Sequence, residues 1–267
     1  MKIKASLHIH TKEDKKEGFF ISYSIYDLID HAKLLGFRVL ALTTHKTFVY
    51  KEEYGKYAEE KGILLIPGIE LDMHAPFLKR CHILVLNCEK DIEKVKTFSD
   101  LKKYKKKNPK IFIIAPHPNF DYFNSMGMRN LKKYIGLFDA IEHSWFFSTF
   151  LNFNRRAGRI AKKFKKPFIA TADCHTLDFF NSDYITLDLK KMDADSVFKK
   201  LRERKFENVT KRKKFLKIIF YYLKEFIFKY YGLLLIVKIK NILEKDTNPV
   251  RSRDRFNGEK IKHEKIS

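Results

Sequence analysis

Residues 5–14 read ASLHIHTKED, a short apolar run that ends in two histidines one residue apart. In an extended strand successive side chains take opposite faces, so His8 and His10 point to one side, within reach of a common object. A metal ion is one such object, since imidazole is the commonest metal ligand. An isolated His-x-His also fits two half-exposed histidines at a strand end, so the rest of the chain has to decide.

The same pattern recurs outward from it. Short runs rich in Val, Ile and Leu at 5–9, 38–43, 63–67, 82–87, 111–115, 140–142, 168–171 and 184–187 alternate with longer amphipathic stretches. This alternation predicts an α/β fold of βα units around a parallel sheet or barrel. Leu28, Ile29, Ala32 and Leu35 share one helical face, and Gly36 follows as a cap. YKEEYGKYAEEKG ends at Gly62, and NFNRRAGRIAKKFKK stops before Pro167.

Polar residues gather at the strand ends. His45 follows the second run in LTTH, Glu70 the third in PGIEL, and His82 opens the fourth in CHILVL. His117 follows in APHP, Glu142 in IEHS, and Asp173 with His175 in TADCH. Taken singly each has an ordinary explanation: a rim histidine, a capping carboxylate, a turn between prolines, a helix N-cap. A series of them at successive strand ends of a βα barrel is the placement a shared metal centre requires. Imidazole and carboxylate together suit Zn²⁺, Mn²⁺ or Fe²⁺, and a carboxylate has two oxygens with which to bridge adjacent ions. Cys174, between Asp173 and His175, takes the opposite face if the segment is extended and is expected to be structural.

The composition bounds the rest. The chain has 267 residues, 45% of them hydrophobic, with 25 Phe and 13 Tyr, which is ample for a large core. Three cysteines without paired spacing exclude a disulfide framework. With no apolar stretch of signal-peptide length at the N-terminus, the expected location is cytoplasmic, not secreted. The net charge of +23 favours polyanionic partners and is concentrated after residue 198, where 21 Lys and Arg face 8 Asp and Glu. Residues 1–198 are therefore expected to form the barrel, 199–245 a basic and apolar helical extension, and 246–267 a disordered tail. The longest uncharged run of the extension, 230–237, is far short of the roughly 20 residues that cross a bilayer. Residues 212–243 are expected to pack on the barrel or to lie on an acidic membrane surface.

The ordered set SLHIHT, LTTH, PGIEL, CHIL, APHP, IEHS and TADCH resembles the PHP (polymerase and histidinol phosphatase) family over about residues 1–190. The resemblance implies a distorted (β/α)7, TIM-like barrel with two or three divalent ions at the C-terminal ends of its strands, hydrolysing phosphate esters. It implies one site from His8, His10, Glu70 and Asp173, and a second from Glu70, His82 and His117 with Glu70 as the bridge. The third would use His45, His175 and a residue of the loop after the first motif. Asp14 is the local candidate, although TKEDKKEG lacks the Ser-Asp-Gly form frequent in the family, and Thr44 stands where Asp or Asn often precedes the histidine.

Asp173 or His175 would accept or relay a proton, and Glu142 would support a ligand or face substrate. Lys79, Arg80 and Arg155 are candidate phosphate contacts near the rim. His31, His74 and His143 match no ligand motif. A phosphorylated small molecule, a nucleotide and the end of a nucleic acid strand all present a suitable phosphate; the expected activity is that of a phosphatase or nucleotide phosphoesterase, with a 5′–3′ exonuclease as the alternative within enzymes. The competing reading is a metal-stabilised barrel without catalysis, binding nucleic acid or a membrane surface.

Overall fold

In the computed structural model, which describes residues 2–75, 78–119, 125–216, 218, 219 and 223 (75, 78 and 79 without side chains), the eight apolar runs become strands and a ninth strand follows them. They are β1 (Lys2–Ile9), β2 (Phe37–Leu42), β3 (Leu64–Ala75), β4 (Leu78–Leu86), β5 (Phe112–Ala115), β6 (Ala140–Ser144), β7 (Phe168–Thr171), β8 (Asp183–Asp188) and β9 (Glu207–Thr210). The amphipathic stretches supply α1 (Ile25–Leu34), α2 (Glu52–Glu60), α3 (Phe98–Lys107), α4 (Gly127–Lys133), α5 (Asn154–Lys163), α6 (Leu177–Phe180) and α7 (Ala194–Arg202). Helix α1 shows why they form. Ser24 and Asp27 make a capping box, Ile25, Leu28, Ile29 and Ala32 are buried, and Gly36 takes φ +77° just beyond the end.

The strands form one sheet, in the order β7-β6-β5-β4-β3-β2-β1-β8-β9, that curls into a nearly closed TIM-like barrel. Pairs β1–β2, β2–β3, β5–β6 and β6–β7 are parallel, as the alternation predicts. Strand β4 departs from it. It forms a long hairpin with β3, with Asp72 opposite His82, and is also antiparallel to β5. Its beginning therefore lies at the barrel end where the parallel strands finish, which explains why His82 opens its run while the other polar residues close theirs.

Ile3, Ala5, Leu7, Val39, Ala41, Ile66, Leu84, Phe112 and Ile169 form the inner core with Val197, Phe198 and Leu201 of α7. Two further clusters lie between sheet and helices. Strand β1 changes parity at its end. Leu7 belongs to the inner cluster and Ile9 to an outer one, and the register of β1 on β2 shifts between Ser6 and Ile9. An irregularity there re-aims side chains, and it lets His8 follow Leu7 toward the inside.

Strand β9 is exposed throughout and reaches β7 through one side chain: Asn208 accepts from Ala170 N at 2.8 Å and donates to the Phe168 carbonyl at 2.8 Å. The first compact unit runs to Phe215, and residues 216–267 form a second. Residues 199–210 thus belong to the barrel unit, past the change of composition at 198, because Leu201 is core and β9 pairs with β8. The expectations for 212–243 and 246–267 fall largely or wholly outside the described residues, and no described helix is long and apolar enough to cross a membrane.

Buried Lys213 pairs with Asp183, which also accepts from Ser182 Oγ at 2.7 Å. Burial raises the Asp183 pKa and lowers that of Lys213, each against the pull of its partner. Asp183→Asn should lower unfolding stability by about 3 kcal/mol by stranding a buried ammonium, whereas Asp183→Leu with Lys213→Met should recover most of it. Urea titration of the three proteins checks this.

Candidate metal centre

Backbone pairing beyond the named strands brings the polar ends together. Ile9 bridges Cys174, with His10 N donating to Cys174 O at 3.1 Å and Cys174 N to His8 O at 3.2 Å. His45 bridges Glu70, with Glu70 N donating to Thr44 O at 3.0 Å and Lys46 N to Glu70 O at 2.8 Å. Lys46, His117 and Asp173 have positive φ, the last two at +25° and +45°. Such strain in non-glycine residues persists only where the surroundings enforce it.

Four imidazoles are held from behind. His8 Nδ1 donates to Glu142 Oε2 at 2.8 Å. His10 Nδ1 and His45 Nδ1 both donate to Asp14 Oδ2, at 3.1 and 2.8 Å. His175 Nδ1 donates to the Asp173 carbonyl at 3.0 Å, whereas His82 Nε2, 3.0 Å from Asp72 Oδ1, accepts from Lys16 Nζ at 3.4 Å. Carboxylate and carbonyl oxygens only accept, so His8, His10, His45 and His175 each carry a proton on Nδ1, and in the neutral ring the other nitrogen is a lone pair.

Those lone pairs converge on one another and on carboxylates. His8 Nε2 and His10 Nε2 are 3.2 Å apart. Asp173 Oδ1 lies 3.3 and 3.4 Å from them, and Glu70 Oε2 lies 3.5 and 3.4 Å away. His45 Nε2 is 3.0 Å from Glu70 Oε2. The other Glu70 oxygen, Oε1, is 2.8 Å from His82 Nδ1 and 3.2 Å from His117 Nε2. His175 Nε2 is 3.1 Å from Glu17 Oε2 without hydrogen-bond geometry. Ligand atoms of His8, His10 and Asp173 lie within 4.8 Å of one another, as do those of His8, Glu70 and His117, of His45, Glu70 and His82, and of His10, His45 and His175.

Acceptors packed together in a buried site need positive charge between them. Protons can supply some of it. Burial would depress the His8 pKa, but Asp173, Glu142 and Glu70 outweigh it and raise it well above the imidazole range, and His45 is pushed up against burial to about 9 by Glu70 and Asp14. His10 goes the other way: burial and the rings of His45 and His175, stacked on it at 4.3 Å each, lower its pKa. Divalent cations answer the whole set at once, and imidazole nitrogen with carboxylate oxygen is the donor set of Zn²⁺, Mn²⁺ and Fe²⁺. The residues fit such ions.

The structure places the sequence candidates as follows. His8, His10, His45, Glu70, His82, His117, Asp173 and His175 all meet at this centre. Asp14 touches it from behind. Its Oδ2 accepts from His10 Nδ1, His45 Nδ1 and His45 N, while Oδ1 accepts from Lys16 N at 2.8 Å and Glu17 N at 3.1 Å. Thr44 bonds the Thr47 carbonyl and not a ligand. The Cys174 thiol, pushed up to about 12 by burial, donates to Thr176 O and faces the outer core. Arg80 Nη1 is 3.8 Å from Asp72 Oδ2, Arg155 lines a separate cleft, and the Lys79 side chain lies outside the described residues. His31 and His143 rest against aromatic rings.

Two further acids, Asp72 and Glu17, lie at the centre without belonging to any of the sequence motifs. Asp72 lies against His82 and collects Lys46 Nζ at 2.6 Å and Lys16 Nζ at 3.7 Å, and its position two residues after Glu70 on a strand was the available signal. Glu17 comes from an irregular loop, where only the adjacent Gly18 stands out: a Cβ there would meet the Lys12 carbonyl oxygen at 2.2 Å.

The strand ends of this barrel thus carry a buried cluster of imidazoles and carboxylates able to hold metal ions. The PHP domain matches residues 6–144 and the PHP-associated domain residues 152–206. The chain belongs to the PHP family.

Three solved structures share the fold. A two-domain protein from Bacteroides vulgatus, described as containing a predicted PHP-like metal-dependent phosphoesterase, is 18% identical with a TM-score of 0.60 over 79% of this chain and 65% of its own. A lesion-specific endonuclease from Pyrococcus furiosus is 14% identical with a TM-score of 0.56, over 76% and 56%. An amidohydrolase from Chromobacterium violaceum with bound sulfate and no metal is 12% identical with a TM-score of 0.51, over 77% and 98%. The chain thus spans less than two thirds of the first two proteins. No curated protein matches it.

Proposed function

We propose that this protein hydrolyses a phosphate ester at a centre of two or three divalent ions. The observation that carries the reading is the 3.2 Å approach of His8 Nε2 to His10 Nε2, with both rings already donating from Nδ1 and two carboxylates alongside. One ion is assigned to His8, His10, Glu70 and Asp173, and a second to the other Glu70 oxygen with His82 and His117. The third is assigned to His45, His175 and Glu17. Asp14 is assigned to orientation, since both its oxygens are occupied by protein donors. Bound ions would activate water and neutralise charge on the phosphate and the departing oxygen.

The chain's own residues do the rest. Glu142 and Asp14 hold three imidazoles in one tautomer and raise their basicity, as carboxylates behind ligating histidines do. Lys16, Lys46 and Arg80, around Asp72 beside a cleft of about 220 Å³, are positioned to meet phosphate oxygens. Asp173, 16% exposed, is the acid through which a proton could leave for solvent.

The test is phosphoester turnover by protein loaded with Mn²⁺, Zn²⁺ or Fe²⁺ and by chelated protein. Metal binding without turnover of any phosphoester would favour the non-catalytic barrel. Glu142→Ala should weaken metal binding by about 10–100-fold with the ligands intact, measured by chelator competition.

A further inference from the structure

A second feature at the same end of the barrel lies outside this centre. Asn119, Asn152, Phe153, Arg155, Arg156 and Arg159 line an open cleft of about 420 Å³. The three guanidiniums are exposed and have no ion-pair partner among the described residues. Arg155 and Arg156 occupy the first turn of α5, which carries no acidic residue. Cations there oppose the helix dipole, so the arrangement costs stability unless an anion sits against it.

The cleft is tied to the metal-facing loops at two points. Asn119, two residues after His117, donates to the Phe153 carbonyl at 3.2 Å. Buried Asn154, at the start of α5, accepts from Ser144 N at 2.9 Å and donates to Ser144 O at 2.8 Å, two residues after the Glu142 that holds His8. The arginines are thus held in a set relation to the ends of β5 and β6. An aromatic accompanies them: Phe150 is 88% exposed in the turn closed by the Phe147–Asn152 bridge, and Phe153 lines the cleft itself.

We propose that this cleft binds the sugar-phosphate backbone of a single-stranded nucleic acid. Three guanidiniums unpaired among the described residues, with Arg155 and Arg159 one turn apart on a single face, exceed what one phosphate needs and suit successive phosphates of a strand. A cationic groove beside an exposed aromatic on which a base can stack is how single strands are held without sequence preference. The net charge of +23 acts in the same direction. The fate of the strand rests on the phosphoesterase reading above, whereas its binding does not.

The test is fluorescence anisotropy of a labelled ten-nucleotide deoxythymidine strand with chelator present, which separates binding from catalysis. The variant Arg155→Ala/Arg156→Ala/Arg159→Ala should bind at least about tenfold more weakly at 0.1 M salt, and its slope of log affinity against log salt should fall by about 2. Phe150→Ala should lose about tenfold with the slope unchanged. Lys102→Ala/Lys103→Ala/Lys106→Ala, exposed on α3, serves as a charge-matched control. A loss no greater than the control's overturns the proposal, and equal arginine dependence for a duplex of the same length overturns its single-stranded form. Arginine-dependent binding by a protein that hydrolyses no phosphoester with any metal would uphold the cleft while overturning the reaction assigned to the centre.

Discussion

Replacing Glu70 with alanine is expected to abolish phosphoester turnover, with a loss of more than about 10³-fold, and to lower the metal content at the same time. Glu70 is the residue whose two oxygens face different ligand groups, Oε2 toward His8, His10 and His45 and Oε1 toward His82 and His117. Burial opposes its ionisation, yet His82, His45 and His8 hold its pKa well below the carboxylate range, so it is an anion wedged among imidazoles. Glu70→Gln keeps the volume but offers one acceptor and one donor, and it should also fail to join the two groups. Metal should raise the melting temperature of wild type, because a ligand at about 1,000 times its Kd stabilises by about 4 kcal/mol, and should leave both variants almost unmoved. Metal analysis with melting curves, with and without chelator, checks this.

Asp14→Ala is expected to destabilise the protein by roughly 3 kcal/mol or more even in chelator. Its carboxylate accepts from two imidazoles and three backbone amides, and a buried donor stripped of its acceptor costs about 1–3 kcal/mol. Burial would raise its pKa, but the hydrogen bonds from His10 and His45 outweigh it and hold it far below the carboxylate range. A residue that acted only as a metal ligand would show its effect only when metal is present. Denaturant unfolding of metal-free wild type, Asp14→Ala and Glu17→Ala separates the roles: Asp14→Ala should unfold earlier, whereas Glu17→Ala should stay near wild type and lose affinity for metal.

Much of this centre is legible in the sequence because its residues sit at fixed places on short apolar strands. Alternation places His8 and His10 together, and strand ends gather His45, Glu70, His117, Asp173 and His175. Strand β4 is harder to read. The segment from Gly68 to Arg80 mixes Glu70, Asp72, His74 and Arg80 with apolar residues, and nothing in that pattern shows the chain doubling back as a hairpin. Strand β9 is illegible for the opposite reason: ENVT is exposed at every position, so it carries no burial pattern and is held by backbone pairing and Asn208. Roles within the site divide along the same line. Asp14 and Glu17 share an irregular loop in which no periodicity tells which acid faces the ions, and only the folded loop separates them.

The most direct measurement is an anomalous difference map from crystals of the full chain grown with Mn²⁺. One peak is expected among His8 Nε2, His10 Nε2, Glu70 and Asp173 and a second among Glu70, His82 and His117, each about 2.0–2.2 Å from its ligand atoms. A map with no peak at either position, with the imidazoles bonded only to water and to one another, would contradict this assignment.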